Sequence, residues 1–361
     1  MQSAALKKMP DCTPVDMGAR HDLLFGRFAA IWQMDRVLVD QKGTAFVRLW
    51  VETTRRNIRN LTFRSNMKIE KVFSAADAAR NKEFMIVLSP PAEGLPEVPY
   101  IEPVIPDAKP QSGDAGLEKH IYRFYFPLSF PLSPAEPSRQ KRTMGFVDNE
   151  YFYIRGYRDA VMLARIFEHL GHGKDSRILD FGCGAGRIIF PLMELGYANC
   201  SGCDIDGDNI AWLQAKPGMA DRFHVSGLQP PLPFPDASFD CIYAGSVFTH
   251  LDEATQFAFL EDLNRVLAPG GIMAVSVSSW GVLAWIDKTP AFIVHDVENK
   301  GINYDSQDLD LTDYGISGEY YRSTFHDHGY IRKTWGRYFD ILHIYPYSFG
   351  YQDLVILKKK P

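Results

Sequence analysis

Three glycines at alternate positions follow an apolar run and a carboxylate in Ile178-Leu179-Asp180-Phe181-Gly182-Cys183-Gly184-Ala185-Gly186-Arg187. No other feature constrains the fold as strongly. An apolar run, a glycine cluster and a helical pattern, in that order, predict a strand, a tight turn and a helix. Glycine reaches backbone conformations closed to other residues and lets a ligand approach the main chain. Arg187 stands where a dinucleotide fingerprint carries its third glycine. Asp180 sets a negative charge just ahead of the turn, which suits a cationic ligand better than a pyrophosphate.

A sulfonium with an amino-acid tail is such a cation, so the turn points to S-adenosylmethionine, and the downstream residues agree in order. A helix over 187–195 and a second strand over 198–203 lead to Asp204-Ile205-Asp206. An acidic residue about 20 positions after a glycine turn, at the next strand's end, is placed to hold ribose hydroxyls. Asp204 takes that role; Asp206 is a ligand or a helix cap. Residues 232–243 predict a polar turn and a buried fourth strand, with Asp236 and Asp240 as turn and strand-entry residues. Ser246-Val247-Phe248-Thr249-His250-Leu251 follows, at the strand end where ligands gather in open α/β sheets. Glu253 to Leu267 has the helical period, with Phe257, Leu260, Leu263 and Leu267 near one face, and Ala268-Pro269-Gly270-Gly271 ends it before a fifth strand.

Over roughly residues 145 to 360 these segments resemble the class I S-adenosylmethionine-dependent methyltransferases of the small-molecule type. The resemblance rests on Leu179 to Arg187, Leu232 to Asp240, Ser246 to Leu251, Arg265 to Gly271, and the later Tyr321-Arg322-Ser323-Thr324-Phe325-His326, Tyr338-Phe339-Asp340 and Gln352-Asp353-Leu354-Val355-Ile356-Leu357. It implies a Rossmann-like, seven-stranded, mostly parallel sheet, and methyl transfer to an oxygen or nitrogen of a small molecule such as a sugar, glycan or related metabolite. The expected cofactor contacts are Asp180, Gly182, Gly184, Gly186, Asp204 and Ile205. Many relatives carry an acidic residue just before the Leu232 segment. Here the chain reads Gly227-Leu228-Gln229, so adenine recognition falls to backbone groups and Leu228 packing.

His250 is either a base of near-neutral pKa or a residue that only lines the pocket. Tyr321, Arg322 and His326 lie in the insertion between strands five and six. They match the relatives' pattern as acceptor-site residues, and His326 is the second candidate base. A dehydrogenase of similar topology is disfavoured by Arg187. A non-catalytic cofactor-binding or scaffold protein, whose β module binds a glycan or protein partner, is the competing reading.

The chain has 361 residues and suits two domains. No apolar run approaches a membrane span, and Met1 to Lys8 lacks a signal peptide's apolar core, so cytoplasm is the expected compartment. Five scattered cysteines argue against a disulfide framework. Cys200 and Cys203 have C-x-x-C spacing without a second ligand pair, and His326 and His328 lack spaced carboxylate partners, so no metal is expected. The net charge of −5 comes from the later part of the chain, which argues against a nucleic-acid substrate. Arg55, Arg56, Arg59 and Arg64 form a solvated hairpin surface or an anion-facing patch. A small-molecule or glycan acceptor is the expected partner, and a homo-oligomer is left open.

Residues 1–140 form the expected accessory domain, β-sandwich-like, and 141–361 the methyltransferase domain, meeting between Pro127 and Glu150. Helical character over Val15 to Gln33 precedes strands over 36–40, 44–52, 60–63, 67–73, 83–88 and 120–126. Asp40 to Gly43 is a hairpin turn, and the proline-dense run from Pro90 to Pro110 is an extended linker. Trp280 and Trp285 are expected in a helix, as core or as acceptor-stacking residues.

Overall fold

The structure is a computed structural model that describes residues 14–15, 30–53, 62–76, 81–104, 114–129, 135–286, 289–307 and 320–361. Its largest sheet has seven strands: β1 (Ile178–Phe181), β2 (Cys200–Asp204), β3 (Phe223–Val225), β4 (Phe239–Ala244), β5 (Leu267–Val277), β6 (Phe339–Phe349) and β7 (Gln352–Lys359). Their order is β3-β2-β1-β4-β5-β7-β6, with β3 to β5 parallel and β7 antiparallel to both neighbours. The strand order reverses between β1 and β4, so the chain leaves these two strands in opposite directions and opens a crevice there.

The period of two decides which helix layer each strand residue meets. Ile178, Cys200, Cys241 and Ile272 pack with Leu163, Ile166 and Phe167 of the helix Asn149–His169. Leu179, Cys203, Ile242 and Met273 pack with Phe259, Leu260 and Leu263 of the helix Glu253–Val266. That helix turns Phe259 and Val266 inward and leaves Phe257 partly buried, so the apolar stripe is shifted from the expected one. Burying each such leucine contributes about 1.5–3 kcal/mol. Cys200 and Cys203 are both buried on β2, where they serve as small apolar residues.

Ahead of this sheet lie two smaller ones. The first pairs Ala30–Val39, Ala45–Thr53, Asn81–Ser89 and Lys68–Ala76 in that order, antiparallel throughout. Asp40 to Gly43 makes the first hairpin turn, with Gly43 at φ +78°. Ala45, Val47 and Leu49 are fully buried, whereas Phe46 is exposed and Arg48 and Trp50 are half-buried, as the alternation predicts. The second sheet pairs Thr62–Ser65, Tyr100–Val104 and Phe124–Tyr125, and both close over one apolar cluster containing Val47, Ile86, Ile101 and Phe124.

Three expectations for this region change. Ala30 to Gln33 begin a strand; the rest of the expected helix, apart from the Val15 end, lies outside the described residues. The proline-dense run holds the strand Tyr100–Val104, whose Pro103 pairs opposite Phe63 on an outer strand. Residues 115–121 form a helix capped by Asp114, leaving only Phe124–Tyr125 extended. Arg55, Arg56 and Arg59 lie outside the described residues.

The front sheets and the large sheet share packing. Ile154 of the helix Asn149–His169 sits in the front cluster, and Leu117 and Ile121 of the helix Ala115–Ile121 sit in the large-sheet core. The helix Pro137–Met144 runs straight across position 140. Among the described residues, no helix is long and apolar enough to cross a membrane.

Candidate cofactor and acceptor cleft

A cleft of about 870 Å³ opens at the carboxyl ends of β1, β2 and β4. Asp180 closes β1 on its floor, between Gly202 and Tyr243 of the flanking strands. Its carboxylate accepts a hydrogen bond from the Tyr243 hydroxyl. Burial pushes the Asp180 carboxyl up to about 8, against the pull of that bond and with help from the nearby Asp204 charge.

The glycine turn is shaped by its neighbours as much as by its conformation. Gly182 has φ +82°, and a Cβ there would overlap the Val247 side chain. Gly184 has φ +50°, and its Cβ would stand 3.1 Å from Thr143 Oγ1. The Gly184 amide donates to Asp204 Oδ2 at 2.7 Å, and the Asp206 amide donates to Asp204 Oδ1 at 2.9 Å. Asp204 therefore pins the turn from the end of β2 while lining the cleft beside Ile205. Asp206 caps the helix Gly207–Gln214 and pairs with Arg142 at 3.1 Å.

His250 lies beyond β4 and lines the same cleft. Its Nδ1 sits 3.0 Å from the Arg322 carbonyl, and its own carbonyl accepts from the Arg322 amide at 2.9 Å. A carbonyl only accepts, so the proton is on Nδ1 and the neutral ring carries its basic lone pair on Nε2. The Tyr321 ring stacks on the imidazole at 4.0 Å and 10°. Next to it, the buried Thr249 Oγ1 has no hydrogen-bond partner among the described residues, although Thr249 lines the cleft.

Ser246 adds a second polar edge. At φ +61° its amide donates to Ser276 Oγ at 2.7 Å, and both hydroxyls donate to Gln352 Oε1, at 3.0 and 2.7 Å. Two donors on one oxygen fix the amide of Gln352, which lines the cleft.

Four expected site residues stand elsewhere. His326 is fully buried: Nε2 meets Gln256 Oε1 at 3.0 Å, the ring packs edge-on against Trp335, and burial pushes its pKa down to about 3. The strand Arg322–His326 runs from the cleft into the core: Tyr321, Ser323, Thr324 and Phe325 line the cleft, and His326 at its end does not. The Arg322 side chain is not among the cleft-lining groups; its backbone holds His250. Gly186 (φ +77°) lies under the turn, where a Cβ would stand 2.6 Å from the Phe190 ring. Leu228 is 44% exposed and outside the lining, while Ser226 and Gly227 line it. The Trp280 indole is buried and donates to Asp327 at 3.0 Å, a packing role; the Trp285 side chain lies outside the described residues.

Sequence reasoning missed the far wall, built from Thr143, Tyr151, Arg155, Tyr351 and Gln352. Gln352 opens a segment that carries the family resemblance without marking a site, and no local motif marks the other four. Ser246 and Thr249, by contrast, sit in the segment that already singled out His250.

A family model described as a methyltransferase domain matches residues 179–275. A sterol 24-C-methyltransferase of Gibberella zeae is 30% identical over 151 residues, covering 40% of this chain and 37% of its own. A probable S-adenosylmethionine-dependent methyltransferase of Mycolicibacterium smegmatis is 32% identical over 145 residues, covering 40% and 52%. An O-methyltransferase of Aspergillus nomiae is 30% identical over 144 residues, covering 37% and 62%. The chain thus spans between about a third and two thirds of the length of these relatives.

Proposed function

Since this chain carries a class I S-adenosylmethionine-dependent methyltransferase domain, we propose that it methylates an oxygen or nitrogen of a small molecule bound beside His250. The observation that carries the reading is the placement of His250, beyond the end of β4, in the same cleft as the glycine turn. Bound S-adenosylmethionine supplies a methyl group on an electrophilic sulfonium. The residues present fit that group: Asp180 gives a carboxylate for a cationic end, Gly182 and Gly184 leave the turn without side chains, and Asp204 offers oxygens to ribose hydroxyls.

His250 Nε2 takes the proton when the acceptor is a hydroxyl or a protonated amine, and the Arg322 carbonyl favours the imidazolium that results. Tyr321 fixes the ring plane by stacking. The Thr249 hydroxyl and the Gln352 amide orient the acceptor, which supplies much of the rate gain in an in-line displacement. Their hydroxyl and amide character, with Ser246 and Ser323 beside them, suits a sugar or glycan hydroxyl as the acceptor. For the domain arrangement, we place the seam ahead of Pro137, because the helix Pro137–Met144 brings Thr143 to the turn and Arg142 to Asp206.

The test is mass spectrometry of a metabolite and glycan extract incubated with the full chain and isotopically labelled S-adenosylmethionine. A labelled product formed by the wild type and lost with His250→Ala supports the reading. A protein that binds cofactor yet labels nothing overturns it.

A further inference from the structure

Arg187, the residue that breaks the dinucleotide fingerprint, meets Arg155 in the cleft wall, and the two share one carboxylate. Arg155 Nε donates to Asp159 Oδ2 at 2.8 Å, and Arg187 Nη1 donates to the same oxygen at 3.3 Å. Asp159 is fully buried and also receives Arg158 at 2.9 Å on its other oxygen. Burial alone would raise the Asp159 carboxyl, but the three guanidiniums hold it below the usual carboxylate range. One negative charge thus faces three positive ones.

Arg158 turns both of its terminal nitrogens to protein acceptors, Nη1 to Asp159 and the Ser348 carbonyl and Nη2 to the Ile121 carbonyl, and only its buried Nε lacks a partner among the described residues. Arg155 and Arg187 are less engaged. Each guanidinium has five N–H donors, and among the described residues each makes only its one hydrogen bond, to Asp159. Arg187 Nε is buried without any partner. Both side chains are only 15% exposed and both line the cleft, where Tyr151 and Tyr351 complete the same corner. Asp159 balances only one of these buried positive charges, so the remaining donors favour a further anion.

We propose that Arg155 and Arg187 form a carboxylate-binding corner of the cleft. It is occupied in the working complex either by the amino-acid carboxylate of the cofactor or by an acid group on the acceptor. Two planar forks with free donors match a carboxylate's paired oxygens, which a lone lysine would not. The corner rests on the cofactor-cleft reading above, and its test separates the two.

Calorimetry on the full chain compares S-adenosylhomocysteine, which has the amino-acid tail, with 5′-methylthioadenosine, which lacks it. Arg155→Met and Arg187→Met are measured beside the wild type, with acetate titrated into each nucleoside complex. Retained methylthioadenosine affinity shows that a variant is folded and its nucleoside site intact. If the cofactor tail fills the corner, both variants bind S-adenosylhomocysteine about 10–100-fold more weakly, and acetate competes with it but not with methylthioadenosine. If an acceptor acid fills it, S-adenosylhomocysteine binding is unchanged and acetate binds that complex in the wild type alone. Unchanged S-adenosylhomocysteine affinity together with unchanged or absent acetate binding overturns the corner. Failure of the wild type to bind either nucleoside overturns the cofactor reading itself.

Discussion

His250 and His326 occupy two neighbouring regions joined by one strand, yet their surroundings give them different chemistry. His250 lines the cleft, with Nδ1 committed to a carbonyl and its ring laid on Tyr321. His326 is sealed in the core between Gln256 and Trp335, with burial holding it neutral down to about pH 3. The strand Arg322–His326 connects them: its first residue positions His250, and its last faces the core. Residue type proposes a base, but only the place on the strand decides whether it can meet a substrate.

The largest expected effect separates the two directly. His250→Ala should bind S-adenosylhomocysteine normally and lose about 10²–10⁴-fold in turnover. The loss should shrink at high pH where the acceptor ionises unaided. His326→Ala should keep turnover per folded molecule but lose about 2–4 kcal/mol of stability, because it opens a cavity and strands the Gln256 amide. Equal turnover in both variants would collapse the distinction and leave catalysis to positioning.

A second contrast concerns pH. His326 is depressed below its unfolded value near 6.5, so its contribution to stability is present above that value. It is lost as pH falls toward about 3, at up to about 1.4 kcal/mol per pH unit. Denaturant titrations from pH 7 to 4 should show that slope in the wild type and a shallower one in His326→Gln. Asp180 runs the other way, toward binding. Its carboxyl is raised to about 8, so affinity for the cationic cofactor should rise with pH up to that region, at most about tenfold per unit, and level off above it. Asp180→Asn should flatten the profile; an unchanged profile would remove Asp180 from the cation's contacts.

The glycine turn gives the smallest of these effects and sharpens the contrast between its positions. Gly184→Ala forces an unfavourable φ and crowds Thr143, so cofactor binding should weaken by about tenfold. Gly186→Ala should act mainly on stability, through Phe190. Calorimetry paired with thermal melts distinguishes these outcomes.

What the sequence made legible was local. The β1 turn, Asp204 and the Ser246 to His250 segment lie within short runs whose order and period carry the information. The wall made by Thr143, Arg155 and Gln352 was not legible as a site, because it joins two helices before the sheet to a hairpin at its far end. His326 was misplaced because the strand that lines the cleft at Ser323 to Phe325 carries its last residue into the core, which the residue type does not reveal. Arg187 was visible as an anomaly, but its partner Asp159 lies 28 residues earlier, in a helix that no motif connects to it.

The central claim is that the cleft at β1 and β2 is an S-adenosylmethionine site held by Asp204. Its most direct test is calorimetric titration of the full chain with S-adenosylhomocysteine and, separately, with NAD, in the wild type and in Asp204→Ala. The account predicts one saturable site for S-adenosylhomocysteine, none for NAD, and a large loss of affinity in a variant that still folds. Binding of NAD in its place, or full S-adenosylhomocysteine affinity in Asp204→Ala, would contradict it.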